Sequence, residues 1–150
     1  MGEKVKSVSG IKVQRQKRRA LDFLTDAKND INRGSYDIAI FHAEEALQLY
    51  TKAVIFELFG IEFRSYDVRT LLSRLSQLLR ENEFSTLADK IDSLSVEYRR
   101  ILINLEDSYS EARYGEEEYD KSQAEEAVDV VEKIINELEE IAKDVKLGKG

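Results

Sequence analysis

The sequence predicts an all-α fold: an up-and-down antiparallel helical bundle of four long helices plus a shorter helix. Three observations predict it. Apolar residues recur at three- and four-residue spacing along almost the whole chain, which marks one buried helical face after another. Proline is absent, and Gly34, Gly60 and Gly115 stand where the periodic segments stop; glycine just past a last turn takes the left-handed conformation at little steric cost. No stretch keeps a period of two with strand composition, so no sheet is predicted. The 150 residues, 42% of them hydrophobic, are one domain's worth of chain with enough apolar material for a core.

The elements follow in order. Residues 1–13 are expected to form a basic flexible N-terminal tail, 14–146 the bundle and 147–150 a flexible C-terminus. The first helix is predicted over 14–33, from Ala20, Leu21, Leu24, Ala27 and Ile31. The second runs over 35–59 with Ser35 as N-cap. Its stripe includes Ile38, Ala39, Ala43, Ala46, Leu47, Tyr50, Ala53, Val54 and Leu58. Phe41, Leu49, Ile55, Phe56 and Phe59 lie off that stripe, and a helix apolar nearly all round is buried on more than one side. Either the third helix or a second subunit must cover it. The third helix, over 66–81, is shorter and is expected to close one end of a four-helix core. A fourth is predicted to run unbroken from Ser85 to about 112, through Leu94, Tyr98, Ile101 and Leu105. The fifth spans 120–146, and Ser122 with Glu125 resembles a capping box. Short connections favour antiparallel neighbours.

Composition excludes several chemistries. Without cysteine there are no disulfides, thiolate metal sites or Cys nucleophiles, which accords with a reducing cytoplasm. One histidine cannot build a multi-His metal site. No apolar run approaches membrane-spanning length, and the basic start has no apolar core behind it, so no secretory signal is read. Neither GxGxxG nor GxxxxGK[ST] occurs. No catalytic residue, metal or cofactor is assigned. The net charge is −7, but Lys4, Lys6, Lys12, Arg15, Lys17, Arg18 and Arg19 crowd the start. That segment reads first as a solvated tail, and second as a phosphate-binding arm.

Few residues invite a functional reading. His42, beside Ala43, reads as a structural imidazole at the core margin, since no partner for a general base is visible. Tyr109 and Arg113 are spaced i,i+4, placing a ring beside a guanidinium, and Tyr114 follows. Such a group can stack a base and hold a phosphate; the alternative is an Arg–carboxylate pair with the last helix.

The stretches AIFHAEEALQLYTKAVIFELFG (39–60), SYDVRTLL (65–72), YSEARY (109–114) and EEYDKSQAEEAVDVVEKI (117–134), in that order, resemble the HEPN family of nucleotide-binding helical domains. The resemblance implies a bundle that dimerises and often partners a minimal nucleotidyltransferase in toxin–antitoxin-like modules. It adds Lys52, Arg64 and Asp67 to Arg113, Tyr114 and Tyr109 as nucleotide- or RNA-phosphate-binding candidates. The chain departs from the family pattern with Glu45, Gln48, Tyr66 and Gly115 where many members carry Gln, Glu, His and Pro. Many members are metal-independent RNases with an Arg four to six residues before a His. Here Arg33 stands nine residues before His42, and no His follows Arg113. The resemblance therefore implies a non-catalytic or accessory module, with an RNase or a purely structural interaction module as alternatives.

Overall fold

The computed structural model describes residues 8–64, 66–114 and 118–148; side chains within these are described except at 8 and 109–114. Six helices and no strand occur among the described residues: α1 (Val8–Asn32), α2 (Tyr36–Phe59), α3 (Val68–Glu81), α4 (Ser85–Glu97), α5 (Arg99–Tyr114) and α6 (Lys121–Lys146). None is long and apolar enough to cross a membrane.

Helices α1 and α2 form an antiparallel hairpin. The turn is closed by the Ser35 N–H donating to Asp30 O at 2.8 Å, with Gly34 at φ +79°. The antiparallel sense is visible in two pairs, Asp30 with His42 near the turn and Lys17 with Glu57 far from it. Helix α6 runs antiparallel to α1, through Lys17–Glu139 and Lys28–Glu132. It runs parallel to α2, because Tyr50 meets Glu139 and Glu57 meets Lys146. Helices α2 and α6 are separated along the chain by α3, α4 and α5, so their parallel sense does not conflict with antiparallel order between helices joined by short connections.

The fourth long helix is corrected. Tyr98, at φ −106° and ψ 20°, breaks it into α4 and α5. Hydrogen bonding continues across the break, from Tyr98 N–H to Leu94 O and from Leu102 N–H to Tyr98 O, both 2.9 Å. The physical reason lies in the neighbours. Helix α4 packs mainly on α3, burying Leu87, Ala88 and Ile91, whereas α5 packs mainly on α2, burying Ile101, Leu102 and Leu105. One straight rod cannot follow both.

Helix ends differ in detail from the sequence reading. The first helix begins at Val8 rather than at 14, and two of the basic residues near the start are held by ion pairs: Lys12 with Glu62, and Lys17 with Glu57 and Glu139. Ser35 stands at the N-cap of α2 but its hydroxyl makes no capping bond. The capping box of α6 is Asp120 with Gln123, not Ser122 with Glu125; Asp120 has the extended backbone an N-cap needs. Gly115 lies outside the described residues.

The core is one cluster built around α2. Ile40, Leu47, Val54 and Ile55 meet Leu71, Leu75, Leu102, Leu105, Ile134 and Leu138, all buried. Of the off-stripe residues, Ile55 is fully buried and Leu49 and Phe59 pack partly against the core. Phe56 is half-buried, with the Lys12 ammonium over its ring. The chain's own helices thus cover most of α2.

Two substitutions separate packing from backbone strain. Leu47→Ala should lower the unfolding free energy by about 2–5 kcal/mol, the range for a fully buried leucine. Gly60→Ala should cost about 1–2 kcal/mol, because Gly60 has φ +70° while a Cβ there meets nothing within 4 Å. Urea denaturation measures both; equal losses would contradict this division.

Candidate functional site

The site begins at Gly60. Its left-handed conformation ends α2, with its N–H donating to Phe56 O at 2.9 Å, and turns the chain back along the helix it has just left. Lys52 Nζ secures the return by donating to Arg64 O at 2.7 Å and to Gln48 Oε1 at 3.0 Å. Phe63 packs against the core, and its ring stands at 89° to Tyr66, 5.4 Å between centroids. Asp67 then caps α3, its Oδ1 accepting from Thr70 N–H at 2.8 Å. Lys52, Arg64 and Asp67, distant in sequence, are thereby brought to one place.

They border a cleft of about 460 Å³ lined by Glu44, Glu45 and Gln48 of α2, Arg64, Tyr66 and Asp67 of the loop, and Glu106 of α5. Arg64 and Tyr66 are exposed at its mouth. Glu44 is only 2% exposed and forms its floor. Gln48 Nε2 donates to Glu44 Oε2 at 2.8 Å, while Glu44 Oε1 is buried without a partner among the described residues. Burial, reinforced by Glu45 and Glu106 and opposed by Gln48 and Lys52, pushes the Glu44 carboxyl up to about 7. Glu106 accepts from Arg69 Nε at 2.7 Å. Burial lowers the Lys52 ammonium below its ordinary value, against the pull of Glu45 and Glu44.

The interior of the cleft is therefore acidic and asks for hydrogen-bond donors. Phosphate oxygens are better placed outside it. Beyond Asp67 the surface continues into a hollow of about 410 Å³ lined by Arg69, Thr70, Ser73, Arg74 and Gln77. Among the described residues no group of three or more His, Asp or Glu is arranged to hold a metal ion.

Of the predicted site residues, Arg64 and Asp67 line the cleft, and Lys52 stands beside it with its ammonium engaged. The side chains of Tyr109, Arg113 and Tyr114 lie outside the described residues; their backbone continues α5 beyond Glu106. His42 lies elsewhere, on the α1 side of α2. Its Nδ1 is 2.5 Å from Oδ2 of buried Asp30, whose other oxygen pairs with Arg33, and Phe23 and Phe41 flank the ring. This cluster closes the α1–α2 turn and supplies the partner for His42 that sequence reading missed.

Glu44, Glu106 and Tyr66 as lining residues were missed as well. The signal for Glu44 was present: it continues the buried row Ile40, Leu47, Thr51, where a carboxylate is out of place.

A carboxyl that ionises near 4.5 when unfolded and near 7 when folded leaves the folded state holding more protons in the interval between. Stability must then fall as pH rises from 4.5 to 7, with the whole loss present above 7. Glu44→Gln should remove this slope, adding about 3 kcal/mol at pH 8 and almost nothing at pH 4. Melting curves at the two pH values test this; a variant equally destabilised at both would refute it.

No curated protein matches the chain. The family model for the HEPN domain matches residues 13–141, from the first turns of α1 to near the end of α6 and across the whole cleft. The chain belongs to the HEPN domain family.

Proposed function

We propose that this protein is an accessory, non-catalytic HEPN module that binds a nucleotide or an RNA phosphate. In this reading it acts as a homodimer beside a minimal nucleotidyltransferase, in a toxin–antitoxin-like system of the cytoplasm. The observation that carries the binding role is the cleft itself. An exposed tyrosine and arginine of the loop after α2 stand at the mouth of a concavity of small-ligand size, and its Glu106 belongs to the helix that continues to Arg113. The non-catalytic reading is supported by the missing Arg–His spacing and by the engagement of His42 with Asp30. Dimerisation is supported by a stripe on the outer side of α2, where Ile38 is exposed and Phe41, Leu49 and Phe56 are half-buried at helical spacing.

Calorimetric titration with ATP, GTP and a short single-stranded RNA, at low and physiological salt, should give saturable binding that weakens as salt rises. Arg113→Ala should weaken it about tenfold or more, Arg64→Ala several-fold, and the RNA should remain uncut in metal-free buffer. Unchanged affinity in Arg113→Ala would remove that residue from the site; no binding at all would leave a protein–protein role.

Ile38→Glu should shift the protein from dimer to monomer in sedimentation velocity without lowering its melting temperature. A monomeric wild type, or a variant still dimeric, would discard this face as the interface.

A further inference from the structure

We infer that the cleft between α2, the 60–67 loop and α5 is a base pocket selective for guanine, with Glu44 at its floor reading the Watson–Crick edge; the inference rests on the nucleotide-binding reading above. Three features carry it.

The first is Glu44. A carboxyl oxygen that is buried and unpartnered is costly to keep, and among the described residues Glu44 holds one at the floor of a cleft large enough for a ligand. Its Oε2 accepts from Gln48 and retains a second lone pair. The residue thus offers a pair of adjacent acceptors.

The second is the sign of the surroundings. Among the described lining residues, Glu45, Asp67 and Glu106 accompany one cation, Arg64, so the cleft favours a ligand edge made of donors. The described carboxylates are not arranged around a common ion. Guanine is the base that fits, because N1–H and the 2-amino group form two neighbouring donors that a carboxylate can accept together. Adenine and cytosine each set a ring-nitrogen lone pair beside their amino group, and uracil flanks its one N–H with two carbonyls. Each of these turns an acceptor toward acidic residues. Sites built on such pairing discriminate strongly, because the wrong partner leaves buried groups unpaired.

The third is Tyr66. Its side is 41% exposed at the cleft mouth, and the perpendicular ring of Phe63 holds it in place. An oriented, accessible aromatic ring is the usual platform for a nucleobase. Phosphates would then lie at Arg64 and toward Arg74 in the adjoining hollow, away from the carboxylates.

The test is titration of the full chain with the nucleotides GMP, IMP, AMP and CMP, and separately with arginine amide, at pH 8 and fixed salt, for wild type, Glu44→Gln and Tyr66→Ala. GMP should bind about tenfold or more tighter than AMP and CMP, with IMP, lacking the 2-amino group, in between. Glu44→Gln should erase that preference by weakening GMP, with AMP not weakened, because the amide offers a donor to the adenine ring nitrogen. Tyr66→Ala, at an exposed position, should weaken all four nucleotides several-fold. Equal affinity for the four would overturn guanine selectivity while leaving nucleotide binding intact. A GMP preference unmoved by both variants would overturn the location. Tighter binding of arginine amide than of GMP would reassign the cleft to a peptide guanidinium, and no binding of any nucleotide would remove both readings.

Discussion

Helix α2 carries apolar side chains around most of its circumference, and no single neighbour can cover such a surface. Its mean composition is the most apolar of the six helices, and the other elements arrange themselves around that fact. Helix α1 lies along one flank, α6 along another, and α3 and α5 complete the enclosure. The break at Tyr98 belongs to the same constraint, since α5 must follow α2 while α4 must cover α3. The cleft opens where this enclosure is incomplete, between α2, α5 and the loop that leaves α2 at Gly60.

Apolar burial is not directional, so it does not by itself set how α1, α2 and α6 are registered. Lys17 does that. Its ammonium donates to Glu57 and Glu139 at 2.8 Å each, and Tyr50 OH donates to the same Glu139 oxygen at 2.7 Å. Burial alone would lower the Lys17 ammonium, but Glu139 and then Glu57 outweigh it and hold it above its ordinary value. Burial, followed by Glu139 and Glu57, pushes the Tyr50 hydroxyl up. Burial would also raise Glu139, yet its bonds to Lys17 and Tyr50 keep it below the usual carboxylate range. A network with three helices as owners is satisfied in one relative register. Its contribution is to specificity of packing more than to stability, because the desolvation of its members offsets much of their attraction.

The helices themselves were legible because a helix declares its buried face locally, through spacing, and because Gly34 and Gly60 sit where φ turns positive. What escaped depends on the partner. Leu94, Tyr98 and Ile101 keep helical spacing across the break, so nothing local distinguishes a straight helix from a bent one. Asp120 and Ser122 are both good cap residues, and the choice between them rests on where the chain arrives relative to Asp37, whose Oδ1 accepts the Tyr119 N–H. The site divides in the same way. Resemblance led to Lys52, Arg64 and Asp67, which do converge, but it did not say that carboxylates line the cleft they border. Glu44 stands in the apolar row of α2, a local sign of burial, but only the packing of α5 and the returning loop shows that it faces a cleft.

A net charge of −7 and an acidic cleft sit uneasily with a phosphate-bearing ligand unless the two ends of that ligand are treated differently. A nucleotide has one end rich in N–H donors and another rich in anionic oxygens. The surface has a matching division, with carboxylates inside the cleft and arginines at its mouth and beyond Asp67. Holding the Glu44 carboxyl buried costs the free protein stability at neutral pH, where its ionised form is penalised by burial. Packing alone offers no reason to keep a carboxylate in the row formed by Ile40, Leu47 and Thr51, and sites that sacrifice stability in this way are commonly functional ones. A ligand that satisfies the Glu44 carboxylate would recover part of that cost only when bound, so the same residue that weakens the empty fold would couple its stability to occupancy.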